Sequence, residues 1–285
     1  MRFVTFRLKE RKPRIGIAVP EGVVDIGLHL PGAPTDMIGL IAAWHGLKPS
    51  LVALVGSGRL DYFSEEVALL APVPRPGKML GIAMNYAGHC ALGAGQRPTD
   101  QVWFAKMPTS ANSPFGEVEI PRGATRIDCQ AGLALVIGRR CRRVSRAEAN
   151  QVIFGYCVAM DFSVNDRYLS DSELMLGKSF DTHGPFGPWI ISADEIEDPH
   201  RLTLRCHVNG LKCQELYTGN LVFNCFEQIE HLSKVMTLEP GDVILTGASG
   251  GFGMALSPAR GLHPGDVVRA EINEIGYVEN MVICE

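Results

Sequence analysis

The stretch Ala71-Pro72-Val73-Pro74-Arg75-Pro76-Gly77-Lys78 divides the chain into two unlike parts. Proline neither continues a helix nor donates to a sheet, so this segment reads as a linker. Beyond it the apolar residues fall in short β-branched runs separated by turn residues. The clearest are Leu133 to Ile137, Gly155 to Met160, Trp189 to Ser192, Leu202 to Val208, Asp242 to Thr246, Val267 to Ile272 and Tyr277 to Ile283. Helical periodicity is confined to Arg146 to Val152 and Cys225 to Met236. A parallel sheet needs a crossover helix between successive strands, and these are too few. The long part is therefore expected to be an antiparallel, β-rich α+β domain. Two of its strands are entered by the same turn, Leu238-Glu239-Pro240-Gly241-Asp242-Val243 and Leu262-His263-Pro264-Gly265-Asp266-Val267, in which proline pre-sets one turn position and glycine takes the next.

Ahead of the linker, short strands are expected at Val4 to Leu8, Arg14 to Val19 and Val23 to Ile26, then helical segments around Thr35 to Leu54 and Leu60 to Leu70. This predicts a small N-terminal α+β domain, residues 1–71, and a larger domain, residues 72–285. A chain of 285 residues with 46% hydrophobic residues can bury both cores.

Charge and cysteine usage exclude several classes of function. The formal net charge is -4, and the densest basic run, Arg139-Arg140-Cys141-Arg142-Arg143, is too short to track a phosphate backbone. It reads as a solvated turn, and no nucleic-acid partner is expected. No apolar run of membrane-spanning length occurs, and Met1 to Glu10 alternates apolar and charged residues, unlike a signal peptide. A cytoplasmic protein without a membrane partner is expected. The eight cysteines form no C-x-x-C pair and are expected as buried thiols, with Cys90 and Cys129 beside candidate site residues.

From about Pro72 onward the chain resembles the fumarylacetoacetate hydrolase superfamily. The matching segments, in order, are Gly81-Ile82-Ala83-Met84-Asn85-Tyr86-Ala87-Gly88-His89, Phe104-Ala105-Lys106, Val136-Ile137-Gly138, Gly177-Lys178-Ser179-Phe180-Asp181-Thr182, Gly187-Pro188-Trp189-Ile190, Val208-Asn209-Gly210 and Met236 to Gly247. The resemblance implies a β-sandwich or β-roll core behind a small N-terminal domain, a homodimer, and a small-molecule substrate. It also implies chemistry on β-dicarbonyl and 2-oxo acids, typically with Mg2+ or Mn2+.

One segment departs from that pattern. Where the superfamily usually reads Asp-Tyr-Glu-Gly-Glu-Leu-Ala-Val-Val-Ile-Gly, with both glutamates on a divalent cation, this chain has Asp128-Cys129-Gln130-Ala131-Gly132-Leu133-Ala134-Leu135-Val136-Ile137-Gly138. Positions two apart on a strand share a face, so Gln130 and Gly132 occupy the two ligand places with no carboxylate. Asp161 matches the aspartate that completes the set and is the one retained ligand candidate. Hard cations want several anionic oxygens, so no resident cofactor is expected, with Mg2+ or Mn2+ the disfavoured alternative. Asp161 is expected to pair with Lys178 instead, either as working groups or as a plain buried ion pair.

His89 matches the superfamily's proton-handling histidine, although Leu92 stands where one form of the motif has a glutamate partner. His89, Lys178 and Asp161 are thus the catalytic candidates. Tyr86, Lys106, Gln130, Asn165, Tyr168, Thr246 and Gly247 are the substrate-binding candidates. Asn165 and Tyr168 stand where the superfamily often has arginine and glutamine, which disfavours a simple 2-oxo acid held by a bidentate arginine. The glycine-rich run from Thr246 to Gly253 lacks nucleotide-loop spacing and reads as a pocket rim.

These features predict a hydrolase- or lyase-like enzyme acting on an enolisable β-dicarbonyl or 2-oxo-acid-like molecule by metal-independent lyase, dehydratase, tautomerase or cyclisation chemistry. The alternatives are a metal-dependent C–C hydrolase or decarboxylase with a repaired site, and a non-catalytic protein that binds a small molecule.

Overall fold

A computed structural model describes residues 1–9, 11–87, 98–124, 126–164, 174–248 and 261–285. The alternating N-terminal sequence forms an antiparallel meander, β1 (Arg2–Arg7), β2 (Arg14–Val19) and β3 (Gly22–Asp25). Helices α1 (Ile26–His29), α2 (Met37–Ala42) and α3 (Trp44–Gly56) follow, and the side chains of Asp25 and Asp36 accept from backbone amides of the first turns of α1 and α2. Leu60 to Leu70, expected as helical, is instead strand β4 (Tyr62–Phe63), a single 3-10 turn and strand β5 (Ala68–Leu70). Tertiary pairing overrides the local pattern: Thr5, Phe6 and Arg7 of β1 pair with Leu70, Leu69 and Ala68, and Leu69 packs on Val4, Phe6 and Val23.

The remainder supplies β6 (Met79–Ala83), β7 (Val102–Lys106), β8 (Ala111–Asn112), β9 (Val118–Ile120), β10 (Ile127–Ile137), β11 (Ile153–Val164), helix α4 (Leu174–Gly177), β12 (Gly184–Ser192), β13 (Thr203–Val208), β14 (Leu211–Tyr217), helix α5 (Cys225–Val235), β15 (Val243–Leu245), β16 (Val267–Ile272) and β17 (Gly276–Cys284). The helix expected from Arg146 to Val152 is only a 3-10 turn at Ala149–Val152. That segment joins two adjacent antiparallel strands, and the Val152 carbonyl accepts from the Gly138 amide across the connection, which leaves no span for a regular helix. Both Pro-Gly-Asp turns form as expected. Gly241 and Gly265 take φ values of 83° and 91°, and the carboxylates of Asp242 and Asp266 accept from the amides three residues back.

A twelve-stranded mixed sheet runs in the order β4-β3-β2-β1-β12-β11-β10-β15-β6-β7, with β5 beside β1 and β8 beside β12. A second sheet runs β14-β13-β16-β17-β9. The two face each other, and odd-numbered residues of β10, from Ile127 to Ile137, bury themselves against Leu204, Val268 and Val278. On the opposite face, Ala134 and Val136 of β10 pack with Phe3, Leu40, Ile41 and Leu51 from the N-terminal segment. The mixed α+β, strand-rich fold is thus as expected, and the N-terminal strands extend the main sheet. Among the described residues no helix is long and apolar enough to cross a membrane. The basic run's four arginines are exposed, and Cys129, Cys141, Cys157, Cys206 and Cys225 are buried free thiols, whereas Cys284 is exposed.

Candidate active site

Strand alternation places the site. The odd residues of β10 fill the core between the sheets, so Gln130 and Gly132 turn to the other face. β11 runs antiparallel beside it in a register that sets Gln130 opposite Asp161 and Gly132 opposite Ala159. Gln130, Gly132 and Asp161 then line one cavity with Phe104, Gly247 and Ala248. Its volume is about 10 Å3, room for roughly one water molecule. The juxtaposition expected from the sequence is present. Gly132 is spatially constrained as well: a Cβ there would lie 2.9 Å from the Gly247 carbonyl oxygen, so any side chain at 132 requires that backbone to move.

Asp161, which lines the cavity, is the centre of an ion triad. Lys106, at the end of β7, is fully buried and donates to Asp161 Oδ1 at 2.8 Å, to the Phe162 carbonyl at 3.2 Å and to the Lys178 carbonyl. Lys178 donates to Asp161 Oδ2 and lies 4.6 Å from the centre of the Phe104 ring, a cavity wall. Burial pushes the Lys106 ammonium down to about 8, while Asp161 pulls it up. Burial also opposes ionisation of Asp161, but the two neighbouring cations outweigh it and hold the carboxyl below its ordinary value. With both lysines protonated the triad carries one net positive charge. An ammonium has three donors. Lys106 spends all three on protein oxygens, whereas Lys178 spends one among the described residues.

The other candidates are placed unequally. Thr246 is buried with its hydroxyl donating to the Leu133 carbonyl, so it ties the end of β15 to β10 outside the cavity lining. Tyr86 is buried, its backbone bridged to Leu221, and its hydroxyl has no hydrogen-bond partner among the described residues; it too lies outside the lining. Burial pushes its phenol up. His89, Asn165 and Tyr168 lie outside the described residues. Asn85 was not singled out from sequence, although it sits inside the Gly81 to His89 segment. Its amide donates to the carbonyls of Phe223 and Thr246 and accepts from the Phe223 amide, a clamp that fixes the backbone entering Gly247.

His183 was also missed, although it directly follows the Gly177 to Thr182 segment. It is fully buried against Phe162 and Phe180; Nε2 lies 2.8 Å from the Glu119 carbonyl, and Nδ1 has no partner among the described residues. Burial, with a smaller push from Lys106, lowers its pKa to about 4. The folded state therefore holds His183 neutral, whereas the unfolded chain takes up a proton below its ordinary value near 6.5. Its contribution is intact above that value and is lost as pH falls towards 4, by roughly 2–3 kcal/mol. In urea unfolding at pH 7 and pH 4.5, His183→Phe is expected to lose less stability between the two than the wild type. An equal loss in both would show that this imidazole does not govern acid sensitivity.

The donor set does not fit a hard divalent cation. Among the described residues around the cavity it offers one amide oxygen, no side chain at 132, and a carboxylate whose two oxygens each accept from an ammonium. Among the described residues no cluster of three or more histidine, cysteine or carboxylate side chains is positioned to hold a metal.

Residues 78–283 match the family model described as fumarylacetoacetate (FAA) hydrolase C-terminal. The chain is 34% identical over 288 residues to oxaloacetate tautomerase fahd2, mitochondrial, of Xenopus laevis, covering 99% of this chain and 90% of that protein. It is 33% identical to oxaloacetate tautomerase FAHD2A, mitochondrial, of Homo sapiens, covering 99% and 92%. Among solved structures it superposes on maleylpyruvate hydrolase from Sphingobium sp. SYK-6, in complex with manganese (II) ion and pyruvate, with TM-score 0.84, 30% identity and 100% and 99% coverage. It also superposes on 5-carboxymethyl-2-hydroxymuconate delta-isomerase from Mycobacterium smegmatis, with TM-score 0.78, 28% identity and 100% and 99% coverage.

Proposed function

The chain belongs to the fumarylacetoacetate hydrolase family, and from that premise we propose that it is an enzyme catalysing metal-independent keto–enol proton transfer on an enolisable 2-oxo or β-dicarbonyl acid. The observation that carries this reading is the sharing of the cavity-lining Asp161 between Lys106 and Lys178. When a proton leaves the carbon next to a carbonyl, the C–H pair becomes the new C=C bond and the carbonyl π pair moves onto oxygen. A fixed cation beside that oxygen lowers the barrier, because it needs no reorganisation as the charge appears. Lys178 spends one donor among the described residues and sits against Asp161 and Phe104, both of which line the cavity, so this contact is assigned to it. Lys106 has none to spare, and its work is to hold Asp161 and the Lys178 backbone in place. The net positive charge of the triad faces the additional negative charge that appears on the substrate oxygen as the enolate forms. Gln130, opposite Asp161, offers an amide to a second polar group of the substrate.

The proton acceptor is assigned to His89 through its place in the family motif, with return of the proton to the enolate oxygen completing the tautomerisation. Proton transfer needs no metal-bound water, in keeping with the donor set. The tautomerase names of relatives more than 30% identical along nearly the whole chain support the same chemistry. A metal-dependent C–C hydrolase is the second reading, favoured by the manganese and pyruvate in the maleylpyruvate hydrolase. The two readings separate in one assay. Freshly dissolved oxaloacetate and an acylpyruvate are followed by enol absorbance and by mass of product, with and without prior chelation. The expected result is faster approach to keto–enol equilibrium, unchanged product mass and no effect of the chelator. Two-fragment products, or activity that returns only with Mn2+, would overturn the proposal.

A further inference from the structure

A second and much larger cavity lies where the N-terminal strands meet the small sheet. It encloses about 660 Å3, within the range of small-molecule sites, and shares no lining residue with the cavity at Gln130. β1 contributes Arg2 and Arg7, β5 contributes Leu69, and the aromatic side chains of Phe115, Trp189 and Tyr277 complete the wall. Phe115 and Tyr277 pack against each other with ring centres 5.4 Å apart, yet remain substantially exposed.

The charge of this cavity is one-sided. Among the described residues, Arg2 and Arg7 are the charged residues of the lining, which holds no carboxylate. The Arg2 guanidinium stacks on Trp189, 5.0 Å from the ring centre, and makes no ion pair among the described residues. Arg7 Nε is buried without a hydrogen-bond partner among the described residues. A buried guanidinium N–H is costly to leave unmatched, and its planar fork suits a carboxylate. The two arginines stand at opposite ends of β1, about 17 Å apart at Cα, and their odd spacing turns the side chains to opposite faces of the strand, so a ligand running along the groove meets one of them at a time.

We propose that this cavity is a second ligand site, taking an elongated organic anion whose carboxylate meets Arg7 and whose apolar or aromatic body lies along Trp189, Phe115 and Tyr277. The proposal is independent of the chemistry at Lys178. Isothermal titration of the full chain with biphenyl-4-carboxylate, and with neutral biphenyl-4-methanol for comparison, tests it. One-to-one binding is expected, at least tenfold weaker for the alcohol and for Arg7→Gln, and unchanged in Lys178→Met. Far-UV circular dichroism checks the fold of each variant. If Arg7→Gln fails to fold, exposed Arg2→Ala decides the matter, with weakening of about threefold or more expected. The proposal is overturned if no saturable binding occurs, if the acid and the alcohol bind alike, if a folded arginine variant binds as the wild type does, or if sedimentation shows the groove covered by a second copy of the chain.

Discussion

Replacing Lys178 by methionine is expected to lower turnover of the enolisable substrate by about 10²–10³-fold, the usual cost of removing one preorganised oxyanion donor. The argument rests on the division of labour within the triad. Lys106 has every donor committed to protein oxygens, so its charge is fixed but its hydrogen bonds are closed to substrate. Lys178 meets Asp161 with one donor, and its ammonium lies 4.6 Å from the centre of the Phe104 ring. Methionine keeps the length and apolar stem and leaves Asp161 paired with Lys106, so the fold is expected to survive. Stopped-flow decay of enol absorbance at saturating substrate, with the melting temperature as control, is the measurement. A well-folded Lys178→Met enzyme of unchanged turnover would remove Lys178 from the chemistry and leave it a structural ion pair.

Asp161→Asn is expected to destabilise the protein by about 3–5 kcal/mol, because it leaves two neighbouring ammonium groups without their shared counter-charge, one of them fully buried. The pH dependence gives the loss a signature. In the wild type Lys106 titrates near 8 in the fold and near its ordinary 10.5 unfolded, so the unfolded chain binds the proton more tightly. Its contribution to stability therefore rises between those two values as the buried ammonium loses its charge. Without Asp161 the Lys106 value falls further, and the variant recovers stability at lower pH than the wild type. Asp161 itself acts in the opposite range. Its carboxyl lies below the ordinary 3.8, so its contribution is present above that value and is lost as pH falls through the folded one. Urea unfolding of both proteins at pH 7 and pH 9 is the measurement, and a gap that does not narrow at pH 9 contradicts the triad as its cause. The double variant Asp161→Asn with Lys106→Met is expected to regain part of the loss, since the fully buried ammonium is gone and only the less buried Lys178 stays unpaired.

What could be read in advance follows from how each feature is encoded. Period-two alternation along Ile127 to Ile137 predicts that Gln130 and Gly132 share a face, and the strand carries that prediction directly. The Asp161 and Lys178 pairing was legible because both residues sit in motifs of the family. The second partner of Asp161 was not. Lys106 reaches it from β7, fifty-five positions away, and no local pattern announces which oxygen a distant lysine takes. His183 and Asn85 escaped for a similar reason, because their roles lie in burial and in hydrogen bonds to remote carbonyls. The expected helix at Leu60 to Leu70 failed because its apolar residues answer to β1, a partner sixty residues earlier.

The pairing of β1 has a consequence for how the chain comes off the ribosome. One edge of this strand is shared: Thr5 to Arg7 meet β5, while Arg2 and Phe3 meet Ile191 and Ile190 of β12. β5 follows within the first seventy residues, but β12 arrives only after most of the chain has been synthesised. A nascent N-terminal unit therefore carries a half-open strand edge through much of translation, beside an apolar Phe3 that can already meet Trp44 but still lacks Phe154 and Ile190. Such non-local closure slows folding and prolongs exposure to other nascent chains. The interval before residue 191 emerges is when this protein would profit most from a chaperone.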